Sequence, residues 1–218
     1  MIKIENIEVM GFESAIRGMR NPMNSWHKSD SEWKLLNVDE VEMYGFEGEY
    51  AYNIGENDLK LAKQLSRAGT DHSKYLRMIT VYMDITAPLY WWKNFSTYKV
   101  GTVANSCSTM HTAHKRDFTL EDFSCEKLFP ESIGVLHSTI EVINKNRQMF
   151  LETKDKEFWW QMIQLLPSSY NQKRTVMLNY EVLKNMYPAR RNHELCEWRE
   201  LCKEIKNLPY FEELCIDM

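Results

Sequence analysis

Residues 78–95 read MITVYMDITAPLYWWKNF, and this stretch carries the clearest secondary-structure signal in the chain. Apolar and polar residues alternate from Ile79 to Thr86, which is the two-residue period of a strand with one buried face. Pro88 ends the alternation, because proline has no backbone N–H to donate to a neighbouring strand. The run from Leu89 to Tyr98 then predicts a short, aromatic-rich helix that enters a loop.

The rest of the chain shows strand patterns before this stretch and helical patterns after it. Alternation from Ile2 to Val9 predicts an opening strand, and residues 57–67 predict a helix with acidic residues near its start. Beyond Pro130, apolar residues recur at helical spacing as far as Met186. A strand-rich first half and a helical second half predict an α+β fold rather than alternating βα units.

Composition bounds the size and the class of the protein. With 218 residues, 44% of them hydrophobic, the chain is large enough to bury a core, and no Gly/Ser-rich linker or repeat divides it. We therefore predict a single domain over residues 1–218. Seven tryptophans and thirteen methionines favour buried helix packing or contacts between subunits.

Charge and cysteine usage exclude some partners. A net charge of -4 argues against coating nucleic acid or an anionic membrane, because such binding needs a basic excess over one face. Five cysteines without the spacing of a zinc site predict free thiols in a reducing compartment. The sequence has no run apolar enough for a signal peptide or a membrane span, so we expect a cytoplasmic protein.

A polar segment follows the aromatic helix. Residues 98–116 read YKVGTVANSCSTMHTAHKR, and their hydroxyls, amide, thiol and two histidines make this loop the best candidate for a ligand-binding segment. Cys107 is most simply a small buried cysteine, although a thiolate near Lys99 or His111 would be a nucleophile. His111 and His114 could share a helix face as metal ligands, but the sequence places no third ligand, and we predict no metal site.

A cluster of cations precedes the last amphipathic helix. Residues 187–205 read YPARRNHELCEWRELCKEI, in which apolar residues from Leu195 to Ile205 fall on one helical face. Arg190, Arg191 and His193 lie at its N-terminal approach, where free backbone amides favour phosphate or carboxylate. The alternative is a solvated basic turn before an ordinary core helix, which the local pattern by itself favours.

The N-terminal stretch GMRNPMNSW, residues 18–26, is rich in turn-forming residues. Its arginine, Arg20, is either a phosphate contact or part of a structural turn. The composition of the stretch favours the structural turn.

Three segments in a fixed order resemble the flavin-dependent thymidylate synthases. The first is the strand, proline and aromatic helix of residues 78–95. The second is NSCS at residues 105–108, which is similar to the asparagine, two residues and serine that end the family's loop signature. The third has Leu166-Pro167, a helix bearing Asn179, an arginine, and HELCEWR at residues 193–199, similar to the family's histidine-alanine-glutamine-any-glutamate-any-arginine run.

The chain departs from the family pattern at several cations. The family's arginine-histidine-arginine triplet corresponds to residues 97–99 or 98–100, which keep one cation. The arginine that follows the serine by two residues in the family is Met110, and the one before the leucine-proline pair is absent. Arg190 or Arg191 can take the place of the arginine before the histidine, with a one-residue shift. These departures motivate an alternative function, namely a nucleotide-binding or regulatory protein on the same scaffold that has lost flavin chemistry.

The resemblance implies a homotetramer with FAD between subunits. It implies methylation at C5 of a uridine nucleotide, dUMP or a related pyrimidine, with NADPH and methylenetetrahydrofolate as co-substrates. For Asn105 and Ser108 the alternative is turn chemistry, since both residue types close loops through their own backbone. The residues that the resemblance assigns to the cofactor are Lys99, Asn105, Asn179 and His193. Those that it assigns to the nucleotide are Ser108, Arg190 and Arg191, with Ser108 also the catalytic residue.

Overall fold

The computed structural model describes residues 2–35 and 50–216. The strands are β1 (Lys3–Met10), β2 (Glu32–Leu35), β3 (Tyr50–Asn53), β4 (Thr80–Pro88), β5 (Val103–Ser106) and β6 (Asn171–Asn179). The α-helices are α1 (Phe12–Arg20), α2 (Glu56–Arg67), α3 (Leu89–Phe95), α4 (Thr109–Thr112), α5 (Pro130–Thr153), α6 (Lys156–Leu165), α7 (Tyr180–Arg190) and α8 (Cys196–Lys206). A π-helical turn follows at Glu212–Ile216.

Four strands form one sheet in the order β1-β4-β6-β5. Strands β2 and β3 form a separate antiparallel pair, with Glu32 opposite Asn53 and Leu35 opposite Tyr50. The α+β class predicted from the sequence is confirmed. So are the opening strand, the strand that ends at Pro88, the helices α2 and α3, and the helical pattern beyond Pro130, which corresponds to α5, α6 and α7.

Strand β6 corrects the prediction of an uninterrupted helical second half. Its sequence, NQKRTVMLN, is polar over the first half and becomes apolar only near its end, where Val176 and Leu178 are buried. The strand forms because β4 and β5 flank it on both sides in the sheet, and neither neighbour is close to it in sequence. Helix α1, with Ala15 and Ile16 buried, was not predicted either.

The described residues divide into two compact units. The first unit comprises the residues up to Lys3, Ile85–Thr97 and Asn105–Thr175. The second unit comprises the described residues of Ile4–Asp84, Tyr98–Ala104 and those from Val176 onward. The single domain over residues 1–218 stays a prediction.

The core of the first unit forms around the long helix α5, which packs against α6. Of the apolar stripe predicted for α5, Leu136, Ile140 and Ile143 are buried, whereas Ile133 and Phe150 are half-buried. The buried residues of this core are Ala113, Phe118, Phe123, Leu136, Ile140, Ile143 and Met162. Helix α3, which also belongs to the first unit, buries Trp91, Trp92 and Phe95.

The core of the second unit includes α7 and α8. The stripe predicted for α8 is confirmed at Trp198, Cys202 and Ile205, all buried, whereas Leu195 caps the helix and is half-buried. Tyr180, at the first turn of α7, packs its ring 5.3 Å from that of Phe211.

Arg20 has a structural role. It lies at the end of α1, is buried, and pairs with Asp58 on α2 at 2.5 Å. Its two Nη atoms donate to the carbonyl oxygens of Ser25 and Lys28. The structural turn favoured by the sequence is therefore confirmed for this arginine.

All five cysteines are free thiols, as predicted. Cys202 and Cys215 are buried, and burial raises the pKa of their thiols to about 11 and about 12. No helix within residues 2–35 and 50–216 has the length and apolarity needed to traverse a lipid bilayer.

Candidate functional site

Arg190, at the last turn of α7, is held against two aromatic rings of the second unit. Its Nε donates to the Tyr98 hydroxyl at 2.8 Å. The guanidinium carbon lies 4.7 Å from the ring centre of Trp198 and 5.5 Å from that of Tyr98. Trp198 is buried in α8, so this ring is a rigid platform for the cation. Arg190 is therefore a half-buried, oriented cation, whereas Arg191 is exposed and lies over the ring of Tyr187 at 5.9 Å.

The turn between α7 and α8 fixes His193 beside this arginine. The His193 backbone N–H donates to the Arg190 carbonyl oxygen at 3.0 Å, and the Leu195 N–H donates to His193 Nδ1 at 3.1 Å. Arg199 closes the turn by donating to the carbonyl oxygens of His193 and Glu194. Because Nδ1 accepts a hydrogen bond, the neutral imidazole carries its proton on Nε2. His193 therefore keeps one N–H donor for a ligand.

The segment after α3 runs beside α7. Tyr98 bonds to Arg190 at the C-terminal end of α7, and Gly101 lies near its first turn. Gly101 has φ +72°, and a Cβ there would lie 2.8 Å from Asn179 Nδ2 and 3.0 Å from Val182 Cγ2. Glycine is therefore required at this position by both conformation and space. Lys99 is exposed and lies between Tyr98 and Gly101 in the sequence.

Asn179 is the last residue of β6, and this position corrects the prediction that a helix bears it. Its Oδ1 accepts from the Val182 N–H at 3.0 Å, which caps α7. Helix α7 has 11 residues, so Asn179 and Arg190 lie at its opposite ends, about 16 Å apart along the axis. The structure thus brings Arg190 and His193 together and leaves Asn179 at the far end of the same helix.

Asn105 and Ser108 belong to the first unit. Asn105 is exposed on β5, and Ser108 is the N-cap of α4, with its Oγ accepting from the His111 N–H at 3.3 Å. The predicted loop over residues 98–116 therefore contains a strand and a helical turn. Ser108 takes the capping role that turn chemistry predicts, but its hydroxyl hydrogen is still available to donate. Cys107 is exposed, which corrects the prediction of a buried cysteine.

A polar group on β6 was missed at the sequence level. Gln172 Nε2 donates to the Cys107 carbonyl oxygen at 2.8 Å and to Thr109 Oγ1 at 3.2 Å. Arg174 Nε donates to Gln172 Oε1 at 3.0 Å, and its guanidinium carbon lies 4.3 Å from the ring centre of Trp92. The two-residue step from Gln172 to Arg174 would have placed them on one face, had the segment been recognised as a strand.

No group of three or more His, Cys, Asp or Glu side chains suited to a metal ion occurs within residues 2–35 and 50–216. Lys99, Arg190, Arg191 and His193 instead offer cations and N–H donors to an anionic ligand. These donors and Asn179 extend along α7, a distribution that suits an elongated ligand with more than one polar group.

No protein-family model matches the sequence, and no curated protein matches it. Solved structures do match. Thymidylate synthase X from Helicobacter pylori with FAD and dUMP superposes with a TM-score of 0.70 at 16% identity, covering 100% of this chain and 98% of that chain. The chain has the fold of a flavin-dependent thymidylate synthase. The resemblance predicted from the three motifs is therefore confirmed at the level of the fold.

Two further structures share this thymidylate synthase fold. A second flavin-dependent thymidylate synthase structure from Helicobacter pylori, complexed with FAD and dUMP, gives a TM-score of 0.68 at 16% identity, covering 98% of this chain and 99% of that one. A UMP/dUMP methylase from Streptomyces cacaoi bound with 5-Br dUMP gives 0.57 at 11% identity, covering 98% of this chain and 91% of that one. All three neighbours hold a uracil nucleotide or its brominated analogue.

Proposed function

We propose that this protein is a flavin-dependent enzyme that modifies C5 of a uridine nucleotide, dUMP or a related pyrimidine. The observation that carries the proposal is the oriented cation Arg190, which Tyr98 and Trp198 hold beside the N–H donor of His193. This arrangement occurs on a fold shared with enzymes whose structures hold FAD and dUMP.

The residues along α7 fit FAD as the cofactor. FAD is elongated and carries phosphates, and the proposed contacts supply Lys99 as a cation, His193 as an N–H donor and Asn179 as an amide. When bound, the flavin supplies hydride-transfer chemistry. In this proposal His193 donates from Nε2 to a polar atom of the ligand, and Tyr98 keeps Arg190 in position through its hydroxyl.

For the nucleotide, we propose contacts from Ser108, Arg190 and Arg191. Ser108 would donate its hydroxyl hydrogen to the nucleotide and orient the reacting ring, which makes it the proposed catalytic residue. Asn105, exposed on β5, is a proposed contact to the flavin. NADPH and methylenetetrahydrofolate are the proposed co-substrates, and the five free thiols support a cytoplasmic location.

We further propose a homotetramer, in which copies of the chain cover apolar side chains of the first unit. Phe129 is 78% exposed and Val135 is 69% exposed. Val142 is one heptad further along α5 and is also exposed, as is Trp160 on α6. Contiguous exposed apolar patches are typical of protein interfaces, and we propose that these four side chains contribute to one. Light scattering on the purified protein tests the assembly, and a monomer at micromolar concentration would contradict it.

The alternative is a nucleotide-binding or regulatory protein without flavin chemistry. Two capping interactions favour it, because the side-chain oxygens of Asn179 and Ser108 both accept bonds from the backbone. These caps explain why an asparagine and a serine stand at these positions without any ligand.

The absorbance spectrum of the purified protein separates the two functions. We expect a yellow preparation with the absorbance spectrum of a flavin. Reduction of the flavin should bleach this spectrum, and addition of substrate should restore it by reoxidising the flavin. A colourless protein that does not take up added FAD but binds dUMP in calorimetry would support the alternative. A protein that binds neither FAD nor dUMP would refute both functions.

A further inference from the structure

Arg174 is a half-buried arginine of the first unit, and no carboxylate within residues 2–35 and 50–216 pairs with it. Its guanidinium lies over the buried ring of Trp92, with 4.3 Å between the guanidinium carbon and the ring centre. Its one hydrogen bond to the described part of the chain runs from Nε to Gln172 Oε1. The Nη hydrogens therefore have no acceptor within residues 2–35 and 50–216. Half-buried arginines usually place these hydrogens on a carboxylate or on carbonyl oxygens.

The surroundings of Arg174 hold it in one orientation. The Trp92 indole N–H donates to the Gln172 carbonyl oxygen at 2.8 Å, so ring and strand are joined directly. Burial lowers the pKa of Arg174, and no acidic side chain among the described residues opposes this effect. A bound anion would restore the favourable environment that the charge lacks.

Gln172 connects Arg174 to the segment that carries Ser108. The same amide that accepts from Arg174 donates to the Cys107 carbonyl oxygen and to Thr109 Oγ1, the two neighbours of Ser108 in sequence. The Cys107 N–H also donates to the Lys173 carbonyl oxygen at 3.0 Å, which continues the pairing of β5 with β6. Two hydrogen bonds therefore connect the guanidinium, through Gln172, to the Cys107 carbonyl oxygen and to the Thr109 hydroxyl on either side of Ser108.

We propose that Arg174, oriented by Gln172 and Trp92, binds the phosphate group of the pyrimidine nucleotide. The proposal rests on the proposed function, because it assigns a ligand to the neighbourhood of Ser108. The two Nη atoms, which bond to no acceptor in the described part of the chain, match two phosphate oxygens, and stacking on an indole fixes the plane of the guanidinium in advance. Ser108 lies in the segment that Gln172 holds beside this cation, with its hydroxyl hydrogen available.

Calorimetry with dUMP and with deoxyuridine tests the assignment on the full chain, as purified and after addition of FAD. The nucleoside lacks the phosphate, so comparing the two ligands isolates the phosphate contact. We expect Arg174→Gln to weaken dUMP binding by about tenfold to a hundredfold and to leave deoxyuridine binding unchanged. Arg174→Lys keeps the charge without the planar fork, and should lose a smaller factor for dUMP alone. Arg77→Gln, an exposed arginine paired with Glu181, is the matched control and should match the wild type.

Three results would overturn the assignment. Unchanged dUMP affinity in folded Arg174→Gln would remove Arg174 from the site while leaving the proposed function intact. An equal loss for dUMP and deoxyuridine would show that Arg174 only shapes the segment around Ser108. No dUMP binding by the wild-type protein would refute the proposed function and this assignment together. If Arg174→Gln does not fold, Arg174→Lys decides, and unchanged dUMP binding by that variant overturns the proposal.

Discussion

Replacement of Asp58 by asparagine should destabilise this protein more than any surface substitution. Asp58 is fully buried near the start of α2, and its Oδ1 accepts from Arg20 Nε at 2.5 Å. Its Oδ2 accepts from the hydroxyls of Ser29 and Ser31, both at 2.6 Å, and from the backbone N–H groups of Asp30 and Ser31. Asp58→Asn keeps the volume, removes the charge and turns an NH₂ group toward these donors.

The expected magnitude follows from the burial of both partners. Arg20 is 4% exposed and Asp58 is 0% exposed, and removal of one partner from a buried ion pair costs about 3–5 kcal/mol. Arg20 would keep its bonds to the carbonyl oxygens of Ser25 and Lys28, so we expect the lower end of that range, about 3 kcal/mol. For a chain of this size such a loss lowers the melting temperature by about 6–12 °C.

Chemical and thermal unfolding followed by circular dichroism measure this loss. Glu200→Gln is the control, because Glu200 is 50% exposed and its partner Lys203 is 67% exposed, and exposed pairs contribute about 0–1 kcal/mol. If Asp58→Asn unfolds within about 0.5 kcal/mol of the wild type, the Arg20–Asp58 pair does not hold α1 to α2 and the reasoning is refuted.

The same carboxylate predicts a pH dependence. Burial raises the pKa of Asp58, but hydrogen bonds from Ser29, Ser31 and Arg20 outweigh it, and the pKa is lowered below its ordinary value of 3.8. A lowered folded-state pKa means that the stabilisation is complete above the unfolded-state pKa, about 3.9, and is lost as the pH falls through the folded-state pKa. The stability difference between wild type and Asp58→Asn should therefore shrink below about pH 4, and a difference that stays constant down to the lowest measurable pH would contradict this assignment.

Five further substitutions test the site and its surroundings. Arg190→Ala should weaken uridine-nucleotide binding in calorimetry by about tenfold to a hundredfold. Tyr98→Phe removes the hydroxyl that holds Arg190 and should weaken this binding by a smaller factor. Unchanged affinity in both variants would assign Arg190 to a structural role. Ser108→Ala should lower the stability by about 1 kcal/mol and should have a much larger effect on turnover. Cys107→Ala, at an exposed thiol, is the control and should leave stability and turnover unchanged. Loss of activity in the cysteine variant alone would make the thiol the catalytic group. Gly101→Ala should destabilise the fold by about 1–3 kcal/mol, since the glycine has φ +72° and no room for a Cβ. If the melting curve of this variant matches that of the wild type, Gly101 does not have this left-handed backbone conformation.

Elements with an unbroken apolar period could be predicted from the sequence. Strand β4 alternates between buried and half-buried residues from Thr80 to Ala87, and α5 and α8 each repeat buried residues at three- and four-residue steps. Local periodicity is sufficient in these cases, because each element buries one face over several turns or pleats. The order of the three motifs likewise predicted the fold that the solved structures share with this chain.

Strand β6 and Arg174 could not be predicted in this way. The first half of β6 is polar, because Gln172 bonds to the segment around Ser108 and Arg174 stacks on Trp92. A strand of this kind is stabilised by its neighbours in the sheet rather than by its own pattern. The capping roles of Asn179 and Ser108 also depend on where α7 and α4 begin, and helix boundaries are weakly encoded in local sequence.

The sequence by itself determined which segments are apolar on one face, that the cysteines are free, and that cations precede α8. Only the tertiary structure decided which cations are oriented. Arg190 reaches Tyr98 across 92 positions of sequence, and Arg20 reaches Asp58 across 38. Periodicity reports which face of an element is buried, but the partner of a buried charge is chosen by how distant segments pack, because only packing brings their side chains within hydrogen-bonding distance.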